Sequence, residues 1–421
     1  MKLSRVVYPD MNAARSVNLE RDKKDVNIIK DYQVTAKTIN ILGRFASALQ
    51  GEKVNAWSLT GPYGMGKSAF INFLMAVTGP ANDPQTILAW DKISETAPEL
   101  QLKLASGIAQ TAGDEGLFQV AVTASYEPVN HSLARGLQNA LLTAKLASGS
   151  EIQRELHTLL KQNVIDTQRL LNIFSTVQNL ADRPLLVVVD EFGKNLDFMS
   201  HHHNKGDIFI LQQLAELGSA YLWVCLHQAF DEYATGLSNI QRREWSKVQG
   251  RFEDVTFLES THQMLYLIKK TLKQNQSNED QERIKAWARE ILPLITESSL
   301  ADYKEFDEQT IAAIYPMHPI TAIALIELCC RFAQNDRTLF SFICSGDRYA
   351  LPAFLDNTDV TTSGRLPALG LEQVYEYFFN ISTTVYINRA ESQRWIEIHG
   401  IIEEARHLGT LEQGILKTIG V

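Results

Sequence analysis

The chain has 421 residues, 45 % of them hydrophobic and 21 % charged, with a formal charge of −9. These are globular values, and the length allows two or three packed units. The acidic sum argues against a surface coated by nucleic acid, although it leaves room for a local basic patch. The opening residues lack the apolar core of a signal peptide, and no apolar run approaches membrane-spanning length. A soluble, cytoplasmic protein with no membrane partner is therefore expected. The four cysteines (Cys225, Cys329, Cys330 and Cys344) show no metal-ligand spacing and read as reduced, buried thiols.

Residues 1–30 are polar and charged and read as an N-terminal arm. An amphipathic helix follows, with Ile39, Ile41, Leu42, Phe45 and Leu49 at helical spacing behind Thr35 as its cap. Five apolar, β-branched runs then carry strand character, at 56–60, 118–123, 185–189, 221–226 and 254–258. Helical stretches between them imply parallel crossovers and a sheet covered on both faces. Gly, Pro and Asp punctuate residues 79–117, which read as an insertion after the first crossover helix. After residue 258 the strand signals fade into helices, one of them opened by Pro319. The chain thus divides into the arm, an α/β domain over 31–260, a helical region over 261–350 and a further helical region over 351–421. Its apolar end suggests a domain cut short, hence a piece of a longer protein.

The strongest chemical signal is Gly61-Pro62-Tyr63-Gly64-Met65-Gly66-Lys67-Ser68, which fits G-x-x-x-x-G-K-[ST] between a strand and a helix that begins near Ala69. Glycines let the backbone wrap phosphates with its N–H groups pointing inward. Lys67 would lie against the β- and γ-phosphates of ATP, and Ser68 would coordinate Mg²⁺. The second signal is a buried strand that delivers Asp190 and Glu191 at its carboxyl end, where ligands sit in open α/β sheets. Asp190 would hold the Mg²⁺ through a water, and Glu191 would act as general base toward the attacking water.

Weaker positions complete the arrangement. His227 and Gln228 close the fourth strand, either as contacts to the γ-phosphate or as a satisfied strand-end polar pair. Arg251, just before the fifth strand, could neutralise transition-state charge in cis or from a neighbouring subunit, or simply be solvated in a basic stretch. Arg337 could reach the phosphates from the helical region, with an ordinary surface arginine as the commoner alternative. The run His201-His202-His203 has no acidic or Cys partner at ligand spacing and reads as a surface loop, not a metal site.

In this order of parts the sequence resembles the AAA+ P-loop ATPases. Gln249-Gly250-Arg251-Phe252 is similar to the segment in which initiators and clamp loaders present an arginine to a neighbour's nucleotide. The resemblance implies a parallel sheet of order 5-1-4-3-2, an α-helical lid after the fifth strand, and a homo-oligomeric ring or arc. Gly61 through Ser68, Asp190 through Lys194, Met317-His318-Pro319-Ile320 and the segment 334–342 are similar to the large ATPases of bacterial anti-phage defence systems of the BREX type. That narrower resemblance implies ATP hydrolysis driving assembly or remodelling in a defence complex, with an effector protein and nucleic acid as partners. Two other readings stay open. One is an ATP-dependent regulatory scaffold controlling an effector. The other is a replication-initiator-like DNA-binding ATPase, although 371–421 shows no helix with clustered Arg and Lys.

Overall fold

The computed structural model describes residues 1–10, 18–23, 25–52, 54–62, 66–144, 146, 149–202, 208–257, 261–275, 277–297, 306–332, 339–360, 365–379 and 390–421. Arg337, His203 and the middle of the glycine-rich loop (Tyr63, Gly64 and Met65) lie outside the described residues. By its contacts the chain forms two units. One comprises Val17–Leu258, and the other joins Met1–Ser16 to Glu259–Val421.

The first unit is α/β. Its helices are α1 (Val26–Asp31), α2 (Ala36–Leu49), α3 (Lys67–Val77), α4 (Pro84–Thr96), α5 (Pro98–Ala112), α6 (Val129–Thr143), α7 (Gly149–Leu159), α8 (Thr167–Ala181), α9 (Gly193–His201), α10 (Phe209–Glu216) and α11 (Asn239–Gln249). Its strands are β1 (Ala56–Thr60), β2 (Phe118–Thr123), β3 (Leu185–Asp190), β4 (Ala220–Leu226) and β5 (Glu253–Thr256). All strand pairings are parallel, and the order is β2-β3-β4-β1-β5, which from the other edge is 5-1-4-3-2. The central register sets Trp57 opposite Trp223. Helices cover both faces, so strands such as Leu-Leu-Val-Val-Val-Asp are buried throughout instead of alternating.

Each face has its own core. Leu185, Val187 and Val189 of β3 join Val120, Val122, Leu222 and Val224 against α6, α7 and α8. The alternate residues Leu186 and Val188 face the other way, with Trp57, Trp223, Phe70 and Phe257, against α2, α3, α4 and α5. The insertion at 79–117 therefore holds two helices that complete this second layer. Thr35 caps α2 by accepting from the Thr38 N–H at 3.0 Å, and Asp83 does the same for α4 at the Gln85 N–H.

The second unit is mainly helical. Among the described residues it contains Thr261–Thr271, Asn278–Thr296, Pro319–Phe332, Leu371–Phe379, Ala390–Glu404, Thr410–Gly420 and three shorter α-helices. The lead-in read as an arm over 1–30 is instead divided between the units. Val7–Pro9 forms a strand antiparallel to Leu272–Gln274, and Leu3 N–H donates to the Thr358 carbonyl at 2.9 Å. Val26–Asp31 is a helix of the α/β unit. Cys225 and Cys329 are buried, and Cys344 is half-buried. Among the described residues no helix is long and apolar enough to cross a membrane.

Candidate functional site

Parallel strands bring all their carboxyl ends to one edge, and that edge gathers most of the residues singled out in the sequence. β4 lies between β1 and β3, so His227 and Gln228 emerge between the loop after Thr60 and the acids after Val189. The edge is stitched by backbone hydrogen bonds that run beyond the strands. Gly61 N–H donates to the Leu226 carbonyl at 3.1 Å, Phe192 N–H to Cys225 at 2.9 Å, and Ala124 N–H to Asp190 at 2.8 Å.

Two glycines are required by geometry. At Gly61 a Cβ would collide with the Phe257 carbonyl at the end of β5, so the chain can leave β1 only without a side chain. Gly66 caps α3 with φ at 87°, in the left-handed region that glycine occupies without penalty. α3 then starts at Lys67, and its first N–H groups face the loop. That arrangement attracts anions.

Lys67 is buried, and its ammonium donates to the Gly61 carbonyl and, at 2.7 Å, to that of Pro62. Burial brings its pKa down to about 8, against the pull of Cys225, Asp190 and Glu191. Asp190 is 4 % exposed. Burial raises its pKa, opposed first by the hydrogen bond from the Ser68 hydroxyl, which donates at 2.7 Å. Ser68 and Asp190 thus present two hard oxygens side by side, a donor set that suits a small divalent cation. Ser68 would hold such an ion directly and Asp190 through a water. Among the described residues no cluster of three or more His, Cys, Asp or Glu could hold a metal ion.

Glu191 follows with φ at 52°, the left-handed region that a residue with a Cβ adopts at a cost. Its carboxylate pairs with the Lys194 ammonium. His227 is half-buried, and burial, then Lys67, then Lys194 bring its pKa down to about 3, so its ring is neutral at physiological pH. Gln228 is half-buried beside it, and Ala69 lies in the first turn of α3.

Arg251 stands elsewhere. β5 runs parallel to β1 with Glu253 opposite Trp57, so Arg251 sits at the amino edge of the sheet, roughly 15–20 Å along the strands from Gly61. There it pairs with Glu216 at 3.1 Å, and both side chains are about half exposed. It therefore cannot serve the phosphate loop of its own chain.

By sequence alone Cys225 reads as an ordinary buried thiol. It faces the α3 side of β4, the same face as Trp223, and its thiol hydrogen-bonds to Asp190. Burial and the neighbouring Asp190 hold the thiol well above its usual range, hence protonated and inert. The available signal was its place, one residue before the end of a strand next to both loops.

No family model and no curated protein matches the sequence. Among solved structures, the ORC2 protein of Aeropyrum pernix in its ADPNP–ADP complexes is similar with 10 % identity and a TM-score of 0.40. The match covers 98 % of this chain and 83 % of that one. At that level of likeness no role passes from that protein to this chain.

Proposed function

We propose that this chain is a Mg²⁺-dependent ATPase of the AAA+ type that works as a ring or arc of copies. The observation that carries the reading is the Ser68–Asp190 hydrogen bond at the carboxyl edge of a 5-1-4-3-2 sheet, with Lys67 buried beside it. In this reading Lys67 and the N–H groups of α3 bind the phosphate chain, and Ser68 and Asp190 hold the ion that shields its charge. Glu191 takes the proton of the attacking water, and His227 and Gln228 line the far side of the terminal phosphate. Mg²⁺ supplies charge neutralisation across the phosphates when bound. Arg251, remote from its own Lys67, is presented to the nucleotide of the next copy. A supplied arginine of this kind is worth about a thousandfold or more in phosphoryl transfer.

The work done with this hydrolysis is proposed as assembly or remodelling in an anti-phage defence complex, with nucleic acid and an effector protein as partners. That part rests on the short resembling segments, of which 334–338 lies outside the described residues. Turnover unchanged by double-stranded DNA, single-stranded DNA and RNA would instead favour the regulatory scaffold.

The test of the enzyme and of its assembly is one experiment. ATP turnover should require Mg²⁺, and Lys67→Ala and Arg251→Ala should each lose it, the latter while still binding ATP. Mixing the two inactive variants should restore part of the rate, because an intact arginine then meets an intact loop. Wild-type ATP affinity in Lys67→Ala overturns the site. A mixed assembly with no recovered turnover overturns the role of Arg251 between copies.

A further inference from the structure

We propose that Lys194 is a second phosphate contact of this site, reading the terminal phosphate of a nucleoside triphosphate by exchanging its ion pair with Glu191 for that phosphate. The inference rests on the nucleotide reading above and deepens it, because it explains how the site tells a triphosphate from a diphosphate.

Lys194 rises from a fixed base. Its N–H donates to the Glu191 carbonyl at 3.0 Å, and its ammonium pairs with the Glu191 carboxylate. The next residue, Asn195, is wholly buried, and its amide donates to the Glu127 carbonyl at 2.8 Å and to the Ser132 hydroxyl at 3.0 Å. The side chain of Lys194 is therefore the movable part of a rigid turn, and it is 46 % exposed.

The other flank is set by His227. Lys194 is tied to the site through Glu191, the residue after the Asp190 that Ser68 bonds, and after burial both Lys67 and Lys194 depress the basicity of His227, so both ammonium groups lie near that strand end. A phosphate chain that reaches Lys67 in the loop brings its outermost phosphate toward Lys194. A part-exposed ion pair contributes little and is parted cheaply. A terminal phosphate offers more charge and three acceptor oxygens, and so makes the stronger partner. A diphosphate leaves Lys194 on Glu191, whereas a triphosphate draws it away.

The exchange frees the Glu191 oxygen that Lys194 held, at the moment a cleavable phosphate is present. The water oxygen then bonds to the terminal phosphorus, and the bond from that phosphorus to the bridging oxygen breaks. Its electron pair leaves with the diphosphate, and the water proton passes to Glu191 and on to solvent.

The experiment measures the affinity of the full chain for a non-hydrolysable ATP analogue and for ADP. Lys194→Met should weaken the analogue about tenfold while ADP stays within about twofold, and Lys194→Arg should keep most of the discrimination. Glu191→Gln removes the competitor for Lys194, so it should tighten the analogue about threefold, and that gain should vanish in the Lys194→Met background. Equal losses for both nucleotides in Lys194→Met, or the same Glu191→Gln gain with and without Lys194, overturn the proposal. A wild-type chain that binds neither nucleotide sinks the nucleotide reading and this inference with it. Normal binding with unchanged discrimination in Lys194→Met sinks the inference alone.

Discussion

The body of the sheet and its carboxyl edge obey opposite rules. In the body, apolar side chains fill both faces, and Trp57 stacks on Trp223 with ring centres 4.6 Å apart among Phe45, Phe70 and Phe257. At the edge, an ammonium and a carboxylate are withdrawn from water beside a half-buried imidazole, and Glu191 takes a backbone shape that costs about 1–3 kcal/mol. The body provides the stability that this edge consumes. Substitutions should therefore divide cleanly, into those that loosen the fold and those that silence the site.

The largest separation is expected from Glu191→Gln. Without a carboxylate to take the proton, turnover should fall about a hundredfold to ten-thousandfold, while the melting temperature stays near that of the wild type. A parallel loss of stability would mean that Glu191 belongs to the body, not to the edge. Next in size is Trp223→Ala, whose cavity in the aromatic layer should cost about 3–5 kcal/mol in denaturant unfolding. A loss under about 1 kcal/mol would show that the layer beneath the loop is not the stabilising one.

The smallest effect sharpens the contrast through pH. The pKa of His227 is about 3 in the folded chain and about 6.5 in the unfolded one, so the unfolded chain binds the proton first. Its contribution to stability is fully present above about 6.5 and is lost as pH falls toward 3. Between pH 7 and pH 5 the wild type should lose about 1–2 kcal/mol relative to His227→Gln, measured as the difference between their unfolding curves. A constant difference across that range would place the ring in water.

Much of this division is legible in the sequence. Runs such as Leu-Leu-Val-Val-Val ahead of Asp190 announce a doubly covered strand, because only burial on both faces tolerates five successive apolar residues. The glycine-lysine-serine pattern announces its loop because few other chemistries need that spacing. What stays hidden is what depends on distant partners. Val7–Pro9 is three residues long, and its partner lies more than 260 residues away, so no local period marks it. Arg251 declares its residue type but not its edge, which only the parallel register with Trp57 decides. The Glu191–Lys194 pair was present as a spacing of three, which is common on surfaces and means little until the strand end beside it is known.

The placement of Arg251 has a consequence for geometry on a larger scale. A chain that carries its arginine at one edge of a sheet and its phosphate loop at the other has a head and a tail. On the proposed reading such copies join by unlike surfaces, so every assembly has a direction. A closed ring then equips every loop with an arginine. An open arc leaves one loop at its end unserved and one arginine with nothing to reach, and closure itself becomes countable in the number of working sites.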